Sequence, residues 1–478
     1  MRDPDHAPAP VMLKTLTAPY AVGVASRVGA QLTSFALIVV ASRQLDLGAF
    51  GAYAVGWAFG VICTTLVYTG VYHTFLRSED EDRDRDTAFW LMLGLGGLGT
   101  ATMLAAAGVF GGAIGYALAG LSLVPLIGAA MAWLDAHLIR AGRVRTAALA
   151  VLGGEVAGLA VALMVFRAGY GVEGLIAARY ASAATLSLVL VVAVRRVPGL
   201  RASRARARAM LSESWPLWGS TLLSMTSNYG ADLVLAAFLT PSAVGAYRAG
   251  SRVANTAADV VLQPLGVLSW ARFARLEASG ARDGIRAAWR ENMGLGMALV
   301  LPAMVSISLL AEPLVATLFD PGWGPVAGIV AILALARATE ALSFLLEPTM
   351  ACLGRGPVQF RVRLLEAALL LALLLTLGRF GGEAAALAIL GTGLAIGMLS
   401  LVLMVRVAGL SVGDLVETFL PGLVLTTGVI LLIWALDPAR GALGPLPGLL
   451  LTVGAVAAAW LVVVAGLLKR RVLVLPTP

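Results

Sequence analysis

The chain has 478 residues, of which 59% are hydrophobic and only 13% charged, and its mean hydropathy is +0.89. Soluble domains carry about 25% charged residues, so this composition excludes a surface that faces water all round and defines an integral membrane protein. A net charge of +8 would suit nucleic acid, but membrane proteins gather Lys and Arg in cytoplasmic loops, and no Lys-rich tail or zinc spacing supports a nucleic-acid partner.

The start, MRDPDHAPAP, is polar and proline-rich, and the apolar run behind it is too long for the core of a cleavable signal. The first helix is therefore expected to act as the insertion signal. Apolar runs bounded by charge, Gly or Pro predict membrane helices over 18–42, 51–76, 89–111, 115–138, 147–166, 172–194, 215–239, 243–270, 293–311, 324–349, 363–378, 384–405, 418–436 and 445–468. An open strand edge is unsatisfied in lipid, so the fold class is all-α, with about 14 transmembrane helices. Alternate connections hold twenty-six Lys and Arg on one side, against only Arg167, Arg379 and Arg440 on the other. By the positive-inside rule, both termini are cytoplasmic. On that side RSEDEDRDRD (77–86) and RRVPGLRASRARARAM (195–210) read as solvated connections, the second touching anionic headgroups.

The frame A-x-G-A-Y-x-x-G occurs twice, at Ala49–Gly56 and Ala243–Gly250. Each copy enters a helix from the outer side, and six helices separate them, as a parallel repeat of six helices requires. The expected organisation is an N-terminal lobe over 1–194, a basic cytoplasmic linker over 195–214, a C-terminal lobe over 215–407 and two further helices over 418–468. The two six-helix lobes would surround a central cavity.

Six arginines fall inside helices or at their edges: Arg27, Arg43, Arg179, Arg248, Arg252 and Arg337. A charged side chain at mid-membrane costs about 2.5–3.5 kcal/mol, so such residues face protein or a watery cavity. In the eighth helix Arg248, Arg252, Asn255, Asp259 and Gln263 share one face. The seventh offers Thr221, Ser224, Asn228 and Asp232, the first Arg27, Gln31 and Ser34, and the second Tyr53, Trp57, Thr64, Tyr68 and Tyr72. A cavity with Arg27, Arg248 and Arg252 suits an anion, because guanidinium groups bind phosphate through paired hydrogen bonds. Gln31, Tyr53, Trp57, Tyr68, Asn228, Asp232, Asn255, Asp259 and Gln263 would line it, with aromatic rings stacking on sugar faces or lining a lipid path. The structural alternative is that Arg248 and Arg252 pair with Asp259, Asp232 or Glu340 and only lock helices. Arg337 and Glu340, one turn apart, either satisfy each other or couple transport to an ion; Glu155 and Asp135 are weaker candidates. Cys63 and Cys352 read as small buried thiols. No metal cluster, P-loop or nucleophile–base pair is legible, so the chain reads as a non-enzyme without a cofactor.

The segment VASRQLDLGAFGAYAVGWAFGVICTTLVYTGVYHTFLR resembles the start of Wzx-type oligosaccharide flippases, with Asp46 where that pattern usually has Gly and Arg77 at the expected helix end. DLVLAAFLTPSAVGAYRAGSRVANTAADVVLQPL is similar to the same family's second half, with Asp232, Gly245, Tyr247, Ala249 and Arg252 in the pattern's positions. The resemblance implies a member of the multidrug/oligosaccharidyl-lipid/polysaccharide exporter superfamily in the bacterial inner membrane. It implies flipping of undecaprenyl-diphosphate-linked oligosaccharide by alternating access, for lipopolysaccharide or exopolysaccharide synthesis, with the diphosphate at Arg27, Arg248 and Arg252. Membrane lipids, a polysaccharide polymerase and chain-length machinery are the implied partners. Alternatives are a lipid II flippase, a cation-coupled multidrug antiporter and, from another class, a membrane polymerase or ligase, which would need a large external loop.

Overall fold

The computed structural model describes residues 9–279, 283–470 and 473. The helices in chain order are α1 (Ala9–Ser42), α2 (Leu47–Thr69), α3 (Val71–Arg77), α4 (Glu81–Phe110), α5 (Gly112–Leu121), α6 (Val124–Arg140), α7 (Val144–Arg167), α8 (Glu173–Val194) and α9 (Arg204–Phe238). They continue as α10 (Pro241–Ser279), α11 (Asp283–Leu309), α12 (Ala311–Leu318), α13 (Val326–Glu340), α14 (Leu346–Cys352), α15 (Gly356–Leu377), α16 (Gly382–Val407), α17 (Val412–Leu443) and α18 (Pro445–Lys469). Every apolar run predicted to cross the membrane is helical. Among the described residues, 11 spans are long and apolar enough to cross by length and composition. The runs at 215–239, 243–270 and 363–378 are not among them. In α10 the polar stripe of Arg248, Arg252, Asn255, Asp259 and Gln263 lowers the hydropathy, α15 opens with Arg361, Arg363 and Glu366, and α9 offers only the short apolar stretch Tyr229–Phe238.

Two compact units form. Unit 1 runs to Val40 and resumes over Gly56–Thr221; unit 2 takes Ala41–Val55 and the chain from Leu222 onward.

In unit 1 the second span is broken at Gly70, between α2 and α3. The Trp218 indole N–H donates to the Leu66 carbonyl at 2.7 Å, the acceptor that the residue-70 amide would use in an unbroken helix. A Cβ on Gly70 would lie 2.1 Å from that indole nitrogen, so only glycine admits the ring. Arg140 closes the other end of α3, donating to the carbonyls of Phe75, Leu76 and Ser78 at 2.8, 3.1 and 3.0 Å.

The two connections expected to be solvated are instead bound to each other. RSEDEDRDRD supplies the first turn of α4, where Asp80 accepts from the Arg83 amide, and Asp84 and Asp86 are buried. Asp86 accepts from the Gly199 amide at 2.9 Å, Trp90 donates to the Gly199 carbonyl at 2.9 Å, and Thr87 accepts from the Ser203 amide at 3.1 Å. Arg206 pairs with Asp84, and Arg196 with Glu81. The linker's Arg206 and Arg196 neutralise Asp84 and Glu81, and Arg85 of α4 stands 3.2 Å from Asp86, so each of these carboxylates has a cationic partner. Half of the expected linker is also helix: α9 begins at Arg204, since alternating Arg and Ala are strong helix formers.

In unit 2 the two copies of the repeated phrase meet. The starts of α2 and α10 cross at Gly51 and Gly245. A Cβ on Gly51 would lie 1.8 Å from the Pro241 carbonyl oxygen, and one on Gly245 2.2 Å from that of Leu47. Each carbonyl belongs to the residue four before the facing glycine, so the contact is two-fold symmetric. The paired tyrosines of the phrase, Tyr53 and Tyr247, are both buried. Nearby, Trp323 donates to the Leu45 carbonyl at 3.1 Å and packs on Phe50, while Arg43 reaches the carbonyls that end α12. The last two helices pack on α11: Trp460 of α18 donates to the Ala298 carbonyl at 3.0 Å, and Arg290 of α11 pairs with Asp414 of α17 at 2.9 Å.

Candidate functional site

Unit 2 carries the sharper constellation. The stripe on α10 forms as the 3.6-residue period requires, with Arg248, Arg252, Asn255, Asp259 and Gln263 half-buried or paired and Ala249, Val253, Ala254 and Ala258 buried. Arg248 Nη1 lies 2.9 Å from Asp232 Oδ2, and its guanidinium stands 4.9 Å from the Tyr229 ring centroid. Asp232 is 1% exposed, and its second oxygen has no hydrogen-bond partner among the described residues. One such oxygen next to a guanidinium leaves the pair under-satisfied.

Three turns further along, Arg337 of α13 joins Asp259 at 3.3 Å and Glu340. Its Nε is buried without a hydrogen-bond partner among the described residues. Arg252 lies between the two clusters on α10, partly buried, and Asn255 donates to Ser251 at 3.2 Å. The face thus holds Arg248, Arg252 and Arg337 against Asp232, Asp259 and Glu340. The sequence suggested an excess of cation here; the fold brings matching carboxylates to it. The structural alternative for Arg248, a lock onto Asp232, is present as an observed pair, and Arg337 rather than Arg252 takes Asp259 and Glu340.

Unit 1 has its own polar cavity, about 310 Å³, lined among others by Trp57, Thr64, Tyr68, Glu155, Arg179 and Ser182. Arg179 lies 3.4 Å from Glu155, with its guanidinium 4.3 Å from the Trp57 ring centroid. This is a cation–π contact in a desolvated site. Tyr68 packs on Tyr72, whose hydroxyl donates to Asp135 at 2.6 Å. Trp57 and Tyr68 therefore line a cavity, but one inside unit 1, where Glu155 and Arg179 supply the charge. The sequence carried one signal for that pair, opposite charges in consecutive apolar spans.

The remaining residues are dispersed. Arg27 is exposed and Gln31 partly buried on α1 in unit 1, Tyr53 is buried in unit 2 beside Phe50, and Gln263 is partly buried on α10. The side chains of Ser224 and Asn228 lie outside the described residues.

Solved transporters share this helical fold. The chain is similar to a structure described as lipid II flippase MurJ in an inward closed conformation, with a TM-score of 0.71 and 12% identity over 86% of this chain and 92% of that one. An inward-facing multidrug resistance MATE family transporter of the MOP superfamily matches with a TM-score of 0.63 and 15% identity, covering 80% and 94%. Among curated proteins, the succinoglycan biosynthesis transport protein ExoT of Rhizobium meliloti (strain 1021) is 25% identical over 370 residues, 75% of this chain and 73% of that protein. The pattern of the polysaccharide biosynthesis protein family matches residues 40–327, and the chain belongs to that family. Its apolar helices make it a multi-pass membrane protein of that family.

Proposed function

We propose that the protein flips an undecaprenyl-diphosphate-linked oligosaccharide across the bacterial inner membrane for cell-surface polysaccharide synthesis, exposing its binding face alternately to the two sides. Membership of the polysaccharide family and likeness to a protein named for succinoglycan transport support the substrate class. The observation that carries the reading is the α10 face, where Arg248 and Arg252 stand one turn apart beside the buried Ala249, Val253, Ala254 and Ala258. A membrane span keeps such residues only for a ligand or a partner. Asp232 occupies one side of Arg248; a diphosphate, with more charge and several acceptor oxygens, would compete with it for the guanidinium fork. Arg252 would supply the second cation, and Arg27 on α1 is the cation unit 1 offers to the same ligand class.

The equal number of carboxylates on the face favours one addition. Asp232, Asp259 and Glu340 each lose a pairing guanidinium when an arginine turns to the ligand, and a carboxylate left unpaired in a membrane span attracts another cation. Coupling through Arg337 and Glu340 follows, and it also defines the competing reading, a cation-coupled exporter of the same superfamily.

Native mass spectrometry of the purified protein tests the substrate class. The expected result is retention of undecaprenyl diphosphate over undecaprenyl monophosphate, lost in Arg252→Ala with abundance unchanged. Equal retention of the two lipids by the wild type would remove the diphosphate reading and leave the cation-coupled exporter.

A further inference from the structure

At the arginine-rich end of unit 1, the end of α8 and the start of α7 enclose an open groove of about 660 Å³, lined by Arg143, Thr146, Leu188, Val189, Val192, Ala193 and Arg195. One end is cationic and the rest aliphatic. Leu188 and Val192 are 65% and 57% exposed, too apolar for water and placed to face acyl chains. Arg143 Nη1 donates to the Ala193 carbonyl at 2.9 Å and Arg195 Nε to the Val192 carbonyl at 3.3 Å. Each guanidinium is thereby anchored by one nitrogen, and its other N–H groups have no protein acceptor among the described residues. Among the described residues no acidic side chain lines the groove.

Two further observations point the same way. Arg143 is the N-cap of the 24-residue α7 and makes no side-chain cap hydrogen bond, so the first amides of the helix add positive potential at the same spot. Arg195, the C-cap of α8, is the one non-glycine residue with positive φ among the described residues, at 52°. Glycine is the residue that takes this position without strain. The chain keeps an arginine there against that preference, which needs a reason in the side chain.

We propose that this groove is a binding site for an anionic phospholipid of the adjoining leaflet. The headgroup phosphate sits between Arg143, Arg195 and the Thr146 hydroxyl, and an acyl chain lies along Leu188 and Val192. Basic pockets between membrane helices on the positively charged side take such headgroups. The neighbouring linker leaves Val197 and Leu200 82% and 87% exposed between arginines.

The test is lipid retention by the full chain in native mass spectrometry, with phosphatidylglycerol and phosphatidylcholine as probes and inorganic phosphate in a separate arm. Each cation near the surface contributes roughly a five-fold change in affinity. The expected result is therefore a phosphatidylglycerol preference that falls roughly five-fold in Arg143→Gln and again in Arg195→Gly. The glycine variant separates the roles, since it relieves the backbone and should hold or raise the unfolding temperature while weakening lipid retention. If Arg143→Gln fails to fold, because it also loses the Ala193 contact, Arg195→Gly alone decides. Unchanged phosphatidylglycerol retention in Arg195→Gly overturns the proposal, as does equal retention of phosphatidylcholine by the wild type. Inorganic phosphate displacing phosphatidylglycerol at equal concentration would likewise overturn it, by showing a phosphate site with no use for the acyl chains.

Discussion

The two copies of the A-x-G-A-Y-x-x-G phrase share a backbone and differ in chemistry. At equivalent positions both place a glycine in the symmetric crossing and both bury a tyrosine. One residue later they diverge: Ala54 is 2% exposed in the core, whereas Arg248 pairs with buried Asp232 at 2.9 Å. What repeats is the demand of helix packing, which only a missing side chain can meet. What does not repeat is charge, which is costly in a membrane span and is kept in one copy. The contrast separates residues that hold the fold from the residues proposed to meet a ligand.

The largest effect should come from the shared part. Gly51→Val or Gly245→Val drives a side chain into a backbone carbonyl and should cost on the order of 5 kcal/mol or more, read as loss of inserted, folded protein. Gly94→Ala, where a Cβ meets nothing within 4 Å, serves as the control and should be neutral or stabilising. Next comes Arg248→Ala, which leaves Asp232 buried and bare and should cost about 3–5 kcal/mol in thermal unfolding. The double variant Arg248→Ala with Asp232→Ala should recover much of that, and a purely additive pair would show that the two do not interact. Trp218→Phe removes the donor to Leu66 and should cost about 1–3 kcal/mol, read as earlier unfolding of unit 1. The last test is functional: Arg252→Ala should lose glycan export in cells while abundance is kept. Normal export in that variant would return Arg252 to the structural class.

The sequence was informative where the physics is local or one-dimensional. Apolar length placed the helices, and the 3.6-residue period placed Arg248, Arg252 and Asp259 on one face. It was silent on which carboxylate meets which guanidinium. Asp232 and Arg248 are separated by the bend between α9 and α10, and Arg337 reaches Asp259 across 78 residues of chain, so each pairing depends on helix crossing. The acidic run before α4 and the basic strap after α8 each read alone as solvated; only their complementarity, visible once both are in one unit, turns them into a buried latch. Arg179 and Glu155 were legible as charges in lipid, but the cavity they share with Trp57 depends on how α2, α7 and α8 pack.

The indole of Trp218 at Gly70 has a mechanical consequence. In the bent span the Leu66 carbonyl is served by a side chain from α9; in a straight span it would be served by the amide of residue 70. Withdrawing the ring while the span stays bent would leave that carbonyl without its donor, a cost of the size expected for Trp218→Phe. The joint between α2 and α3 is therefore a latch whose bolt belongs to another helix. Straightening the span requires the Trp218 ring to leave Gly70, so the bend is tied to α9 through this one side chain.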